Sequence, residues 1–162
     1  MFKNRKPVVA IDGTACSGKG TLAKMIAKHF SFDHLDSGIL YRIFAFEMLE
    51  QKVSVQKLKS VKVNFEVIFD KKKLTSMNLR SEKISKISSE IAKEEYVRKQ
   101  LISIQRKFAD NPPCGIGSVI DGRDITSVII PNAEIKFYID ADVKIRAQRR
   151  LEQLKLNQRS YQ

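Results

Sequence analysis

At 162 residues, 43% hydrophobic and 30% charged, the chain has the size and composition of one globular domain able to bury a core. Its 30 basic and 18 acidic residues leave a net charge of +12, which favours anionic partners: nucleotides, nucleic acid or an anionic membrane surface. Two cysteines, Cys16 and Cys114, exclude a disulfide framework and point to a reducing compartment. The apolar run after Lys3, Arg5 and Lys6 stops at Asp12, too short for a signal peptide, and no later stretch spans a membrane. The expectation is a cytoplasmic protein with no membrane partner.

Residues 1–7 are a basic lead-in. The β-branched run at 8–11 predicts a first strand, and 19–30 predicts a helix with Leu22, Met25, Ile26 and Phe30 on one face. Residues 32–35 form a brief second strand ending at Asp36-Ser37-Gly38, and 39–50 a second helix. Val61, Val63, Phe65, Val67 and Phe69 alternate with polar residues, which predicts a half-buried strand. Asp70-Lys71-Lys72-Lys73 then reads as a solvated turn, with 74–79 pairing back as a hairpin. Helical spacing returns through Ile84, Ile87 and Ile91, and again through Val97, Leu101, Ile104 and Phe108, until Asn111-Pro112-Pro113 breaks it. Strands follow at 118–121 and 134–139, then a basic helix at 143–156 carrying Arg146, Arg149 and Arg150. Strands alternating with helices predict a doubly wound parallel sheet with ligands at the strand C-terminal ends. Gly13, Asp36 and Asp121 all fall there.

The first strand leads into Gly13-Thr14-Ala15-Cys16-Ser17-Gly18-Lys19-Gly20-Thr21. Strand, glycine-rich loop, lysine, helix is the pattern of a phosphate-binding loop. Glycines let backbone N–H groups turn toward phosphate oxygens, the helix N-terminus adds unpaired donors, and Lys19 reaches the β- and γ-phosphates. The bland alternative is a strand–turn–helix with a solvated lysine. Cys16 is read either as a small loop residue or as a thiol activated by the helix N-terminus and Lys19. Asp121 closes an apolar strand, where a carboxylate either forms a turn or holds Mg²⁺ beside phosphates, directly or through water. His29 and His34 show no metal-ligand spacing.

Three stretches together resemble bacterial-type cytidylate kinase: the loop Gly13 to Thr21, Asp36-Ser37-Gly38-Ile39-Leu40-Tyr41-Arg42, and Asp121-Gly122-Arg123-Asp124. Glycine directly after Lys19 is the nucleoside-monophosphate-kinase form of the loop. The resemblance runs from about Val8 to Leu154. It implies an α/β P-loop NTPase three-layer fold with a parallel sheet of order 2-3-1-4-5. It implies one kinase domain, with a core of about 7–52 and 110–162 and an NMP-binding insert of about 53–109. The activity implied is transfer of the ATP γ-phosphoryl group to CMP or dCMP, with ATP and Mg²⁺ as cofactors and no nucleic acid as partner, by a monomer.

The resemblance also implies residue roles. Lys19, Arg123 and Asp124 are the catalytic candidates. Gly13, Thr14, Ala15, Cys16, Ser17, Gly18, Lys19, Gly20 and Thr21 hold ATP. Ser37, Arg42, Ser89, Arg98, Arg123 and Asp124 hold the acceptor, with Arg42 and Arg123 forking onto its phosphate and Ser89 and Arg98 meeting cytosine. Asp121 and Thr21 are the metal candidates. Each retains a plainer alternative: Arg42 and Arg98 as surface side chains, Ser37 as a helix cap, Asp124 as a cap or ion pair, Arg146, Arg149 and Arg150 as a solvated face rather than ATP contacts. The family continues well past Gln162. The expectation is therefore a chain without the rest of the lid, the fifth strand and the closing helix, with Ile135, Phe137 and Ile139 on a poorly covered edge. Such a chain binds ATP and CMP and turns over slowly or not at all. The rival expectations are a non-catalytic remnant that binds nucleotide, a kinase of another small metabolite, and a basic nucleic-acid-binding protein with steep salt dependence.

Overall fold

Three parallel strands meet where the chain is most apolar. In the computed structural model, which describes residues 6–159, β1 (Val8–Gly13) is buried along its whole length. It pairs in parallel with β3 (Ser118–Gly122) on one side and β4 (Ile135–Ile139) on the other. A parallel strand between two neighbours has no solvent face, which is why it reads as an unbroken apolar run. β2 (Asp33–Asp36) pairs in parallel with β3, so the sheet order is β2-β3-β1-β4. The register sets Asp36 opposite Asp121 and Ile11 opposite Asp121, so the strand C-termini share one end. This is the family order expected from the sequence, as far as strand four.

The chain divides into two compact units: the residues up to Ser37 with those from Ser103 onward, and Gly38–Ile102. In the first, α1 (Lys19–Phe30) lays Ala23 and Ala27 against Val9, Ile11 and Val119, with Leu22, Ile26, Phe32 and Ile139 around them. The predicted helix face needs correcting: Met25 is 64% and Phe30 54% exposed. Alanines take the inner line because short side chains let the helix close onto the sheet. β4 has a single strand neighbour among the described residues, and Ile135, Phe137 and Tyr138 on it are exposed. It is followed by α6 (Val143–Arg159).

The second unit begins within α2 (Ser37–Glu50). Its buried side chains include Leu40, Ile43, Phe44, Ile84, Ile91 and Val97. The expected hairpin is absent from it. Residues 61–64 have no regular secondary structure, Phe65–Phe69 is a 3-10 helix, and the lysine cluster lies in α3 (Lys71–Ser76). Local capping overrides the alternation: the Asn64 side chain accepts from the Glu66 N–H, and the Asp70 side chain from the Lys73 N–H. α4 (Glu82–Ile91), capped by Ser81, and α5 (Glu95–Asp110) follow, with α5 running on into the first unit. Among the described residues no helix is long and apolar enough to cross a membrane.

Candidate active site

The loop between β1 and α1 is built by close approach. A Cβ on Gly13 would lie 2.1 Å from the Ile139 carbonyl oxygen, so only glycine fits beside β4 there. Cys16 and Gly18 adopt positive φ, 61° and 102°, and turn the chain into the helix. The Thr21 and Leu22 N–H groups both donate to the Gly18 carbonyl, at 3.0 and 3.1 Å. Lys19 Nζ donates to the Thr14 carbonyl at 3.2 Å. Ser17 is buried, and its Oγ has no hydrogen-bond partner among the described residues. An orphaned buried hydroxyl, inside a loop that opens onto a helix N-terminus, suits an oxyanion ligand. Ala15 and Thr21 are exposed, and Gly20 is half-buried.

The segment after β4 holds the loop by hydrogen bonds. Thr14 Oγ1 donates to Asp140 Oδ1 at 2.6 Å, and the Ala141 N–H donates to the same oxygen at 2.9 Å. These bonds, the Thr14 hydroxyl foremost, hold the Asp140 carboxyl below its ordinary value; loss of hydration opposes them and the Arg146 charge adds a smaller pull downward. From α6, Arg149 Nη1 donates to the carbonyls of Cys16 and Ser17 at 3.2 and 3.1 Å. Arg146 Nε donates to the Ala141 carbonyl at 3.0 Å, and Arg150 is exposed. Cys16 Sγ lies 3.8 Å from Gln153 Oε1.

At the end of β3, Asp121 is buried and presents its two oxygens to different neighbours. Oδ1 is 2.6 Å from His34 Nε2, and Oδ2 lies 3.6 Å from where a Cβ would stand on Gly20. The carboxylate thus sits beside the first turn of α1. Gly122 comes next, with the Ser37 hydroxyl in the space a side chain would occupy, 1.8 Å from its Cβ position. Arg123 and Asp124 are exposed, Asp124 with a left-handed φ of 60°. A π-helical turn, Ile125–Ile129, follows. Asp12 fixes its start, Oδ1 accepting the Ile125 N–H at 2.7 Å and Oδ2 the Thr126 N–H at 2.9 Å. In the first unit the structure therefore brings the loop and Asp121 together, and sets Ser37 against the turn that carries Arg123 and Asp124.

On the second unit, Arg42 is half-buried in α2, its Nη1 donating to the Leu79 carbonyl and to Ser85 Oγ, each at 2.9 Å. It is not a free surface residue. Ser89, exposed on α4, donates to the Ser85 carbonyl at 2.9 Å, so Ser85 bonds both Arg42 and Ser89. Arg98 is half-buried on α5. Ser37 is the first residue of α2 rather than a cap preceding it.

Sequence reasoning missed four polar residues of these arrangements: Asp12, His34, Ser85 and Asp140. A signal existed for His34, two positions before Asp36 on a strand whose neighbour carries Asp121 next to its last residue. For Asp12 and Asp140, carboxylates ending apolar runs, the signal was the same one that singled out Asp121. Ser85 sits among other helical serines and carried none.

A family model described as Cytidylate kinase matches residues 9–162. The chain is 44% identical over 147 residues to a cytidylate kinase of Bartonella bacilliformis and 42% identical over 147 residues to one of Bartonella tribocorum, covering 91% of this chain and 66% of each relative. A cytidylate kinase of Afipia carboxidovorans is 42% identical over 143 residues, covering 88% of this chain and 66% of that protein. The chain thus spans 66% of the length of these relatives. A family match over nearly every residue, on a sheet of the order the motifs call for, makes this chain a member of the cytidylate kinase family.

Proposed function

We propose that the chain carries the nucleotide-handling residues of a kinase that transfers the ATP γ-phosphoryl group to CMP or dCMP, giving ADP and CDP or dCDP. The observation that carries the reading is the Asp121 carboxylate beside Gly20, at the mouth of a loop whose Ser17 hydroxyl is buried with no hydrogen-bond partner among the described residues. Phosphoryl transfer asks a protein mainly for positioning and charge neutralisation. Gly13 to Thr21 supply backbone donors, and Lys19, whose Nζ lies at the loop on the Thr14 carbonyl, has the length to reach phosphate oxygens.

Mg²⁺ fits this donor set. It keeps several waters and takes phosphate oxygens, so one protein carboxylate, Asp121, with Thr21 in the adjacent helical turn, suffices. Among the described residues no group of three or more His, Cys, Asp or Glu side chains forms a separate metal site. When bound, the cation neutralises developing charge on the phosphates. Arg123 and Asp124, with Ser37 behind their turn, and Arg42, Ser89 and Arg98 on the Gly38–Ile102 unit, are the acceptor-side residues in this reading. That unit serves as the NMP-binding part. The chain acts as a cytoplasmic monomer on small molecules.

A coupled ADP-release assay with CMP, dCMP, UMP and AMP, together with calorimetry of ATP and CMP binding, tests the reading. Binding of both nucleotides with cytidine-selective turnover is expected. Lys19→Met should lower any turnover by on the order of 10²–10³-fold. Preference for AMP overturns the assignment.

A further inference from the structure

We propose that His34 is a positioning residue for Asp121: its Nε2–H holds Oδ1 and so leaves Oδ2 facing the phosphate loop. The inference rests on the kinase reading above. The β2–β3 register places His34 opposite Val119 and Asp36 opposite Asp121. His34 therefore stands one pleat below Asp121 on the same face, and its longer side chain reaches up to meet Oδ1 at 2.6 Å. The Asp121 side chain is only 4% exposed and that of His34 17%, so water does little to hold either. A carboxylate only accepts, so the imidazole nitrogen facing it carries the proton.

Without that bond the buried carboxyl plane is free to rotate, and Oδ2 loses its fixed direction toward Gly20 and α1. Groups that orient a metal-binding carboxylate in this way commonly change metal affinity by tenfold or more without touching the metal. Asp36, opposite Asp121 in the β2–β3 register, ends in a carboxyl like Asp121 itself and has no side-chain N–H to offer Oδ1.

Calorimetry of ATP binding in excess Mg²⁺ and in EDTA tests this, with the ratio of the two affinities as the readout and thermal melting as the check on folding. The wild-type chain is expected to bind ATP more tightly with Mg²⁺. His34→Leu should reduce that ratio about tenfold while leaving affinity in EDTA unchanged. His34→Asn, too short to reach Oδ1, should repeat the loss in a polar variant. His34→Gln, whose amide nitrogen falls near the Nε2 position, should restore most of the ratio. Asp121→Asn should lower the ratio in the wild-type background and add little to His34→Leu. A wild-type ratio in both His34→Leu and His34→Asn, or a Gln variant as impaired as Leu, overturns the inference while the kinase reading stands. A wild-type chain indifferent to Mg²⁺ overturns the reading and the inference together.

Discussion

Asp12 holds Thr126 by two bonds from one oxygen: Oδ2 accepts both its N–H at 2.9 Å and its hydroxyl at 2.5 Å, while Oδ1 takes the Ile125 N–H. The last residue but one of β1 thereby fastens the turn that carries Arg123 and Asp124. Asp12→Asn keeps the shape but replaces one acceptor with a donor that faces other donors. Each hydrogen bond to a charged group is worth about 1.5–3 kcal/mol, so the variant should lose about 2 kcal/mol of stability. Urea denaturation would read this as a lower midpoint at unchanged slope. An unchanged midpoint refutes it.

Gly122 and Ser37 occupy one space. A methyl at Gly122 would stand 1.8 Å from the Ser37 hydroxyl and 3.1 Å from its Cβ. Gly122→Ala should therefore destabilise by about 1–3 kcal/mol through overpacking. Ser37→Ala removes the oxygen that clashes, so the double variant should recover much of the loss. A double-mutant cycle that shows simple additivity would separate the two sites and contradict the packing.

The Thr14–Asp140 bond sets a pH window. The Asp140 carboxyl is held below its ordinary value, chiefly by the Thr14 hydroxyl. A carboxyl lowered by folding contributes stability that is complete above the unfolded value and lost as pH falls through the folded one. The bond should therefore persist through neutral and mildly acidic conditions and open only in stronger acid. Carboxyl-carbon NMR should find Asp140 titrating below an ordinary aspartate, and Thr14→Ala should bring it back toward the ordinary value. No movement in Thr14→Ala would show that Thr14 does not set it.

Much of the first unit could be read directly, because its elements repeat one grammar. An apolar strand flanked on both sides must be continuous, and a loop of small residues before a helix has few alternatives. What escaped was set by partners distant in sequence. Asp12 meets Thr126, His34 meets Asp121, and Thr14 meets Asp140, each pair separated by more than eighty residues. The 61–79 stretch failed for the opposite reason. Its alternation was real, but Asn64 and Asp70 bond the backbone two and three residues ahead, and those short loops close before any strand finds a neighbour.

Arg149 on the carbonyls of Cys16 and Ser17 gives the phosphate loop a polarity of its own. A trans peptide carries its N–H opposite its C=O, so a Ser17 carbonyl held by a guanidinium leaves the Gly18 N–H pointing away from that cation. The cation holds the carbonyl ends of these peptides and so favours one direction for their dipoles. Fixing these carbonyls lowers the reorganisation that a phosphate would otherwise have to drive. The shape of the loop is thus set in part by an arginine 132 residues beyond Ser17 in the chain.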